Sequence, residues 1–332
     1  MSSRPFRPPA WTVGGHRQTL LGYWRRRGLR WTVPAQDLVV PVDGEVKILA
    51  RASWQPGRAE ERPAVVLVHG LGGWDGAPYA VAMGLHAWSR GWHVVRMNMR
   101  GSGGSVALCP YLYNAGLDSD LLAVLEAIAR RVSRVSVIGF SLGGSIALLA
   151  AGRGRARLPS AVRALVAISA PLDLAPCSEA LTRPANRIYD QYFLHYLKRA
   201  YRERQERNPA YEPGREKKVR SLREYDEAIT APYGGYASLA EYYARSSPGP
   251  WLTAIERPTL VLAADDDPIV PRDSLAPWPL PASGLVRRDF LPTGGHLGFV
   301  APTAAPGGFW AAEHALNFLQ GVEDLNPPAS GS

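Results

Sequence analysis

Residues 139–143 read Gly-Phe-Ser-Leu-Gly, the G-x-S-x-G pattern in which a serine stands on a tight turn between a strand and a helix. A serine hydroxyl becomes a nucleophile when a base removes its proton. In this arrangement an acid and then a histidine follow the serine along the chain. Asp265-Asp266-Asp267 follows an apolar run, and Asp267 opens Asp-Pro-Ile-Val-Pro, the tail usual after such an acid. Asp267 is therefore preferred and Asp266 is the runner-up. Of seven histidines, only His296 and His314 lie beyond these carboxylates. His296 sits in Thr293-Gly294-Gly295-His296-Leu297-Gly298, a glycine loop able to present an imidazole, whereas His314 lies in an amphipathic helical stretch. Ser141, His296 and Asp267 are thus the expected nucleophile, general base and orienting acid of an acyl transfer.

An acyl transfer also needs donors for the oxyanion. The Leu142 amide follows the serine at a helix N-terminus. His69-Gly70-Leu71-Gly72-Gly73 is a glycine-rich turn after an apolar run, and the Leu71 amide is the expected second donor. His69 precedes the serine and is expected to shape its turn. Arg100-Gly101-Ser102-Gly103-Gly104-Ser105 lacks both phosphate-loop endings, so a phosphate cradle is set aside. Adjacent carboxylates in one turn diverge, and no partner cluster is visible; neither metal nor cofactor is expected.

The elements that must hold these residues alternate. Asp37–Val42 and Val46–Trp54 flank Asp43-Gly44, a hairpin signal. Strand-like runs follow at Ala64–Val68, Trp92–Arg96, Val135–Gly139, Val162–Ile168, Pro258–Ala263 and Leu285–Phe290. Helical patterns lie at Tyr79–Ser89, Asp118–Arg130, Leu142–Ala151 and Trp310–Leu319. This predicts an α/β fold: a mostly parallel sheet, helices on both faces, and an antiparallel hairpin at one edge. The rhythm breaks over residues 177–250, which read as a helical cap insertion above the sheet edge where such folds bind ligands. The expected division is an irregular arm at 1–34, a core at 35–176 and 251–325, the cap, and a flexible tail at 326–332. Tyr189, Tyr192, Phe193, Tyr196, Tyr233 and Tyr236 are candidates either to line an acyl pocket or to pack the cap.

Hydrophobic residues make up 46% of the 332, enough for one large core, and no apolar run is long enough to span a bilayer. The first residues carry Arg4 and Arg7 but no signal-peptide core, and Cys109 and Cys177 are isolated; a cytoplasmic setting is expected. The net charge of +9 concentrates around Arg153–Arg163 and Lys198–Arg220. The second run is interleaved with Glu203, Glu206, Glu212 and Glu216, which favours solvated helix faces over a nucleic-acid partner. Peripheral contact with an anionic membrane surface stays open, and oligomeric state is not legible.

With these residues assigned, the chain resembles the AB hydrolase 4 (YheT-like) family of the α/β-hydrolases along nearly its whole length. The resemblance rests on Trp11-Thr12-Val13-Gly14-Gly15-His16-Arg17-Gln18-Thr19-Leu20, on residues 69–73, on Asn98-Met99-Arg100-Gly101 and on Tyr113-Asn114-Ala115-Gly116. It extends through Asp120-Leu121, residues 139–144, Tyr242-Tyr243-Ala244-Arg245-Ser246-Ser247 and residues 255–267. It implies hydrolysis of acyl or lipid esters, with some members transferring acyl groups to alcohols, and it puts Ser141, Asp267 and His296 at the family's triad positions. Membrane-anchored members carry an N-terminal hydrophobic segment that this sequence lacks. A small-molecule ester is the expected substrate. An acyltransferase using the same residues is the nearest alternative, and a non-catalytic binding protein of the same fold a more distant one.

Overall fold

The computed structural model describes residues 5–325; the tail expected at 326–332 lies outside the described residues. Eight strands form one sheet: β1 (Gln36–Asp43), β2 (Val46–Ser53), β3 (Ala64–Val68), β4 (His93–Met97), β5 (Val135–Phe140), β6 (Val162–Ile168), β7 (Thr259–Ala264) and β8 (Val286–Leu291). Their order is β1-β2-β4-β3-β5-β6-β7-β8. The hairpin β1–β2 joins β4 antiparallel, and every pairing from β4 to β8 is parallel. This is the mostly parallel sheet that the alternation predicts. Strands β3 and β5 are buried along their whole length, which is why they read as unbroken apolar runs.

Helices α1 (Gly15–Arg26), α2 (Pro78–Ser89), α3 (Asp118–Ala129) and α4 (Leu142–Gly152) precede β6. Between β6 and β7 come α5 (Leu174–Thr182), α6 (Arg187–Gln205), α7 (Leu222–Tyr225), α8 (Ala231–Tyr233) and α9 (Leu239–Ser246). Helices α10 (Arg272–Leu275) and α11 (Trp310–Leu325) close the chain. Side chains alternate through the sheet. Val66, Val68 and Val137 pack with Leu121, Leu125 and Ile146 on one face. Val65, Leu67 and Ile138 pack with Met83, Phe299 and Leu316 on the other.

The helices between β6 and β7 are tied to the sheet side. Arg204 of α6, fully buried, donates to the carbonyls of Val106, Cys109 and Gly101. Several basic residues elsewhere in the two charged runs find acids: Arg153 pairs with Asp118, Arg199 with Glu203 and Arg215 with Glu212.

One expectation is overturned. The segment read as an irregular arm contains α1, a 12-residue helix. Its buried residues are Gln18, Gly22 and Arg26, spaced one turn apart, while Leu20, Tyr23 and Trp24 face outward. A helix whose inner stripe is polar or bare backbone gives no apolar period to read.

Candidate active site

The sheet reverses its winding between β3, which leads to β4 on one side, and β5, which leads to β6 on the other. Ligands bind outside the C-terminal ends of strands at such a point. Ser141 follows β5 there, with φ 51° and ψ −123°, a left-handed backbone that a non-glycine residue tolerates only when its surroundings enforce it. The flanking glycines do so. A Cβ on Gly139 would lie 2.3 Å from the Gly143 carbonyl oxygen, and one on Gly143 would lie 2.3 Å from that of Val68. The turn therefore closes only with bare backbone at both positions.

The loop after β7 and the loop after β8 bring the other two residues to the serine. His296 Nε2 is 3.0 Å from Ser141 Oγ, and its Nδ1 is 2.9 Å from Asp267 Oδ2. The remaining oxygen of Asp267 accepts from the amides of Ile269 (2.8 Å) and Val270 (3.0 Å). All three side chains are buried. With an ionised carboxylate at Nδ1, the imidazole carries its proton there, and Nε2 is left to accept from the serine hydroxyl. The arrangement is chemically able to draw a proton from Ser141 as the oxygen attacks a carbonyl.

Asp266 points elsewhere. Its Oδ2 accepts from Thr293 Oγ1 (2.6 Å), and its Oδ1 from the amides of Gly294 (3.0 Å) and Gly295 (2.9 Å). It thus fastens the histidine loop from below. Helix α1 fastens the same loop from the side. Thr19 Oγ1 accepts from the His296 amide at 2.8 Å and donates to the Gly15 carbonyl. Gln18 accepts from the Val300 amide at 2.7 Å, and Arg26 donates to the carbonyls of Leu297 and Gly298. Burial, with Arg25 adding to it, lowers Arg26 to about 9. The loop needs this support, because Leu297 (φ 54°) and Phe299 (φ 41°) both hold left-handed backbone. Helix α1 is thus a missed part of the site. Its signal was Gly-His-Arg-Gln-Thr, polar residues in a segment without period.

The turn after β3 presents Leu71 on the rim. The amides beside it are occupied: Gly70 donates to Tyr79 Oη (2.9 Å) and Gly72 to Tyr113 Oη (2.8 Å). Among the described residues the Leu71 amide has no acceptor. The Leu142 amide belongs to the first turn of α4, whose N–H groups have no intrahelical partner. Burial raises both phenols, Tyr113 to about 12, so they remain neutral acceptors. His69 backs this turn. Its Nε2 accepts from the Met99 amide at 3.1 Å, so its Nδ1 carries the proton donated to the Gly70 carbonyl. Burial lowers it to about 4, and it is neutral. Arg100 does not reach the cavity beside Ser141; it grips buried Asp120 at 2.8 and 2.5 Å. His314 pairs with Asp289 and stacks on Trp310.

That cavity runs from Leu71, Ser141 and Leu142 up to the helices between β6 and β7 and is partly open to solvent. Of the six aromatic candidates only Phe193 lines it. The others pack among themselves or on neighbours, as Tyr189 does on His16 and Tyr192 on Tyr196. The rest of the aromatic lining comes from Tyr113, Tyr242 and Tyr243. Among the described residues no group of His, Cys, Asp or Glu is disposed to hold a metal ion.

Residues 63–301 match the family model described as alpha/beta hydrolase fold. The chain is 34% identical to "Putative esterase YheT" of Escherichia coli over 96% of this chain and 94% of that protein. It is 28% identical to the monoacylglycerol lipase of Saccharomyces cerevisiae over 80% of this chain, spanning 60% of that longer protein. Among solved structures, the Pyrococcus furiosus esterase PF2001 shares the fold with a TM-score of 0.56 at 13% identity, covering 87% of this chain and 91% of that one. The match to one family model over most of the chain, and to one relative end to end, shows that the chain belongs to the α/β-hydrolase fold family, in its YheT-like branch.

Proposed function

We propose that this protein is a serine hydrolase that cleaves carboxylic esters, acyl or lipid esters among them, through an acyl-enzyme. The observation that carries the reading is the unbroken line of contacts from Asp267 through His296 to Ser141. Ser141 attacks the ester carbonyl while His296 Nε2 takes its proton. The Leu71 and Leu142 amides stabilise the oxyanion. His296 then protonates the departing alcohol, and Asp267 balances the imidazolium. Water, deprotonated by His296, attacks the acyl-serine and releases the acid. An alcohol in place of water would make the same machinery an acyltransferase. Relatives named esterase, monoacylglycerol lipase and phospholipase support the ester class.

Ser141→Ala should abolish ester turnover and labelling by a fluorophosphonate probe while thermal unfolding stays unchanged. Full turnover by the pure variant would overturn the assignment. Product analysis with and without added alcohol separates hydrolysis from transfer.

Helices α5 to α9 act in this reading as the cap that selects the substrate. Contact with a lipid surface is supported by α1 and its flank. Trp11, Leu20, Tyr23 and Trp24 are exposed, and Arg17, Arg25, Arg27 and Arg30 lie exposed among them. Outward aromatics with basic neighbours suit an anionic bilayer surface. Among the described residues no helix is long and apolar enough to cross a membrane. The buried free thiols Cys109 and Cys177 accord with a cytoplasmic setting.

A further inference from the structure

The cavity beside Ser141 has apolar walls, formed by Leu142, Leu174, Leu181, Phe193 and Leu222. One carboxylate interrupts them. Asp226 lines the cavity and is only 9% exposed. It opens a π-helical turn, Asp226–Thr230, that continues directly from α7. A π turn inserts an extra residue into the helical repeat and re-aims the side chains around it, a device common at functional sites. Thr230 lines the same cavity one turn further on.

The partners of Asp226 are neutral. Tyr243 Oη lies 3.0 Å from its Oδ2 and 2.8 Å from Ser178 Oγ, and the Thr230 hydroxyl lines the same cavity. Among the described residues no arginine, lysine or histidine forms an ion pair with it. Burial raises its carboxyl to about 6. A buried carboxyl group in a mostly apolar cavity, with one phenol bonded to it, is costly unless a further partner arrives. A plain alkyl chain in the cavity would offer it no partner. A hydroxyl or an ammonium group would bond to it.

We propose that Asp226, with Thr230 and Tyr243 beside it, forms a polar subsite that receives a hydrogen-bond donor carried by the ester substrate. The substrates favoured would be esters with an apolar stem and a hydroxyl or ammonium group away from the scissile bond. This rests on the hydrolase reading above and adds a substrate class to it.

The test is a panel of nitrophenyl alkanoates of graded length, each with its ω-hydroxy and ω-amino counterpart. A second panel of acetate esters carries the same groups on the alcohol side. In one panel the donor-bearing ester should exceed its plain partner about tenfold or more in kcat/KM, the usual scale for leaving a buried polar group unpaired. Asp226→Leu should reverse that order. Asp226→Asn should keep the hydroxyl preference and lose the ammonium one. If only the ammonium series is favoured, Asp226 acts as an anion that selects cations; if only the hydroxyl series, it acts as a neutral hydrogen-bonding group.

Turnover of nitrophenyl acetate reports the hydrolase reading separately. Brisk acetate turnover with no donor preference at any length overturns the subsite and leaves the hydrolase standing. So does an Asp226→Asn variant that merely melts lower, since Asp226 would then serve only to tie Tyr243 to Ser178 on α5. If no ester is turned over, the hydrolase reading falls. Calorimetric binding of hexanol, hexanediol and aminohexanol to Ser141→Ala then decides the subsite, and equal affinities for the three overturn it.

Discussion

Asp267 turns one oxygen to His296 and the other to two backbone amides, whereas Asp266, the residue before it, turns both oxygens to the loop that carries the histidine. The two should fail differently. Asp267→Asn should lower kcat on the order of ten-thousandfold, because the amide stabilises the wrong imidazole tautomer. Asp266→Asn should cost nearer tenfold and lower the melting temperature, because it loosens the loop and leaves the proton path in place. Equal losses in the two variants, measured by steady-state kinetics, would contradict this division. His69 supplies a pH prediction. Its folded pKa of about 4 lies below the unfolded value of 6.5, so below pH 6.5 the unfolded chain binds a proton that the folded chain refuses. Its contribution is therefore intact above pH 6.5 and is lost as pH falls toward 4, by on the order of 3 kcal/mol. Asp226, raised to about 6, acts in the opposite direction over part of that window. The comparison that isolates His69 is His69→Gln, whose stability should depend less steeply on pH between 6.5 and 4 in denaturant titrations.

Helix α1 and the turn around Ser141 carry the predictions at the scale of elements. Thr19→Val keeps the shape of the side chain but leaves the His296 amide without an acceptor. Stability should fall by about 1–3 kcal/mol, and kcat should drop while KM holds, because the loop positions the imidazole and does not hold substrate. A change confined to KM would show that α1 acts on binding. Gly143→Ala should be far more severe, since its Cβ meets the Val68 and His69 carbonyls at 2.3 and 2.4 Å. Loss of probe labelling together with a lowered melting temperature is the expected result. Much of the element plan was legible, because β3 and β5 are buried on both faces and the helices that cover them have apolar stripes. Helix α1 was not, because Gln18, Gly22 and Arg26 form its buried stripe. Those residues face backbone carbonyls and amides of a remote loop, and a partner 270 or more residues away leaves no local pattern.

At the scale of the whole molecule, the surface of α1 bears on where the protein works. Cosedimentation with vesicles containing phosphatidylglycerol should be measurable and should weaken with added salt. Trp24→Glu should reduce it while leaving turnover of a short soluble ester intact. Salt-insensitive or absent binding would remove the membrane contact from the proposal. The sequence by itself determined the order of the strands, the helices that cover the sheet between β3 and β6, and the turn that carries Ser141, because these depend on contacts within a few residues or on buried apolar runs. It also narrowed the expected acid to two neighbours and the expected base to one glycine loop. Only the tertiary structure decided which aspartate faces the imidazole, that the set of five tyrosines and one phenylalanine yields one cavity residue, and that a carboxylate shares a cavity with Ser141. Those outcomes depend on the direction in which a side chain leaves its turn and on elements far apart in the chain, and neither is fixed by residue type or spacing.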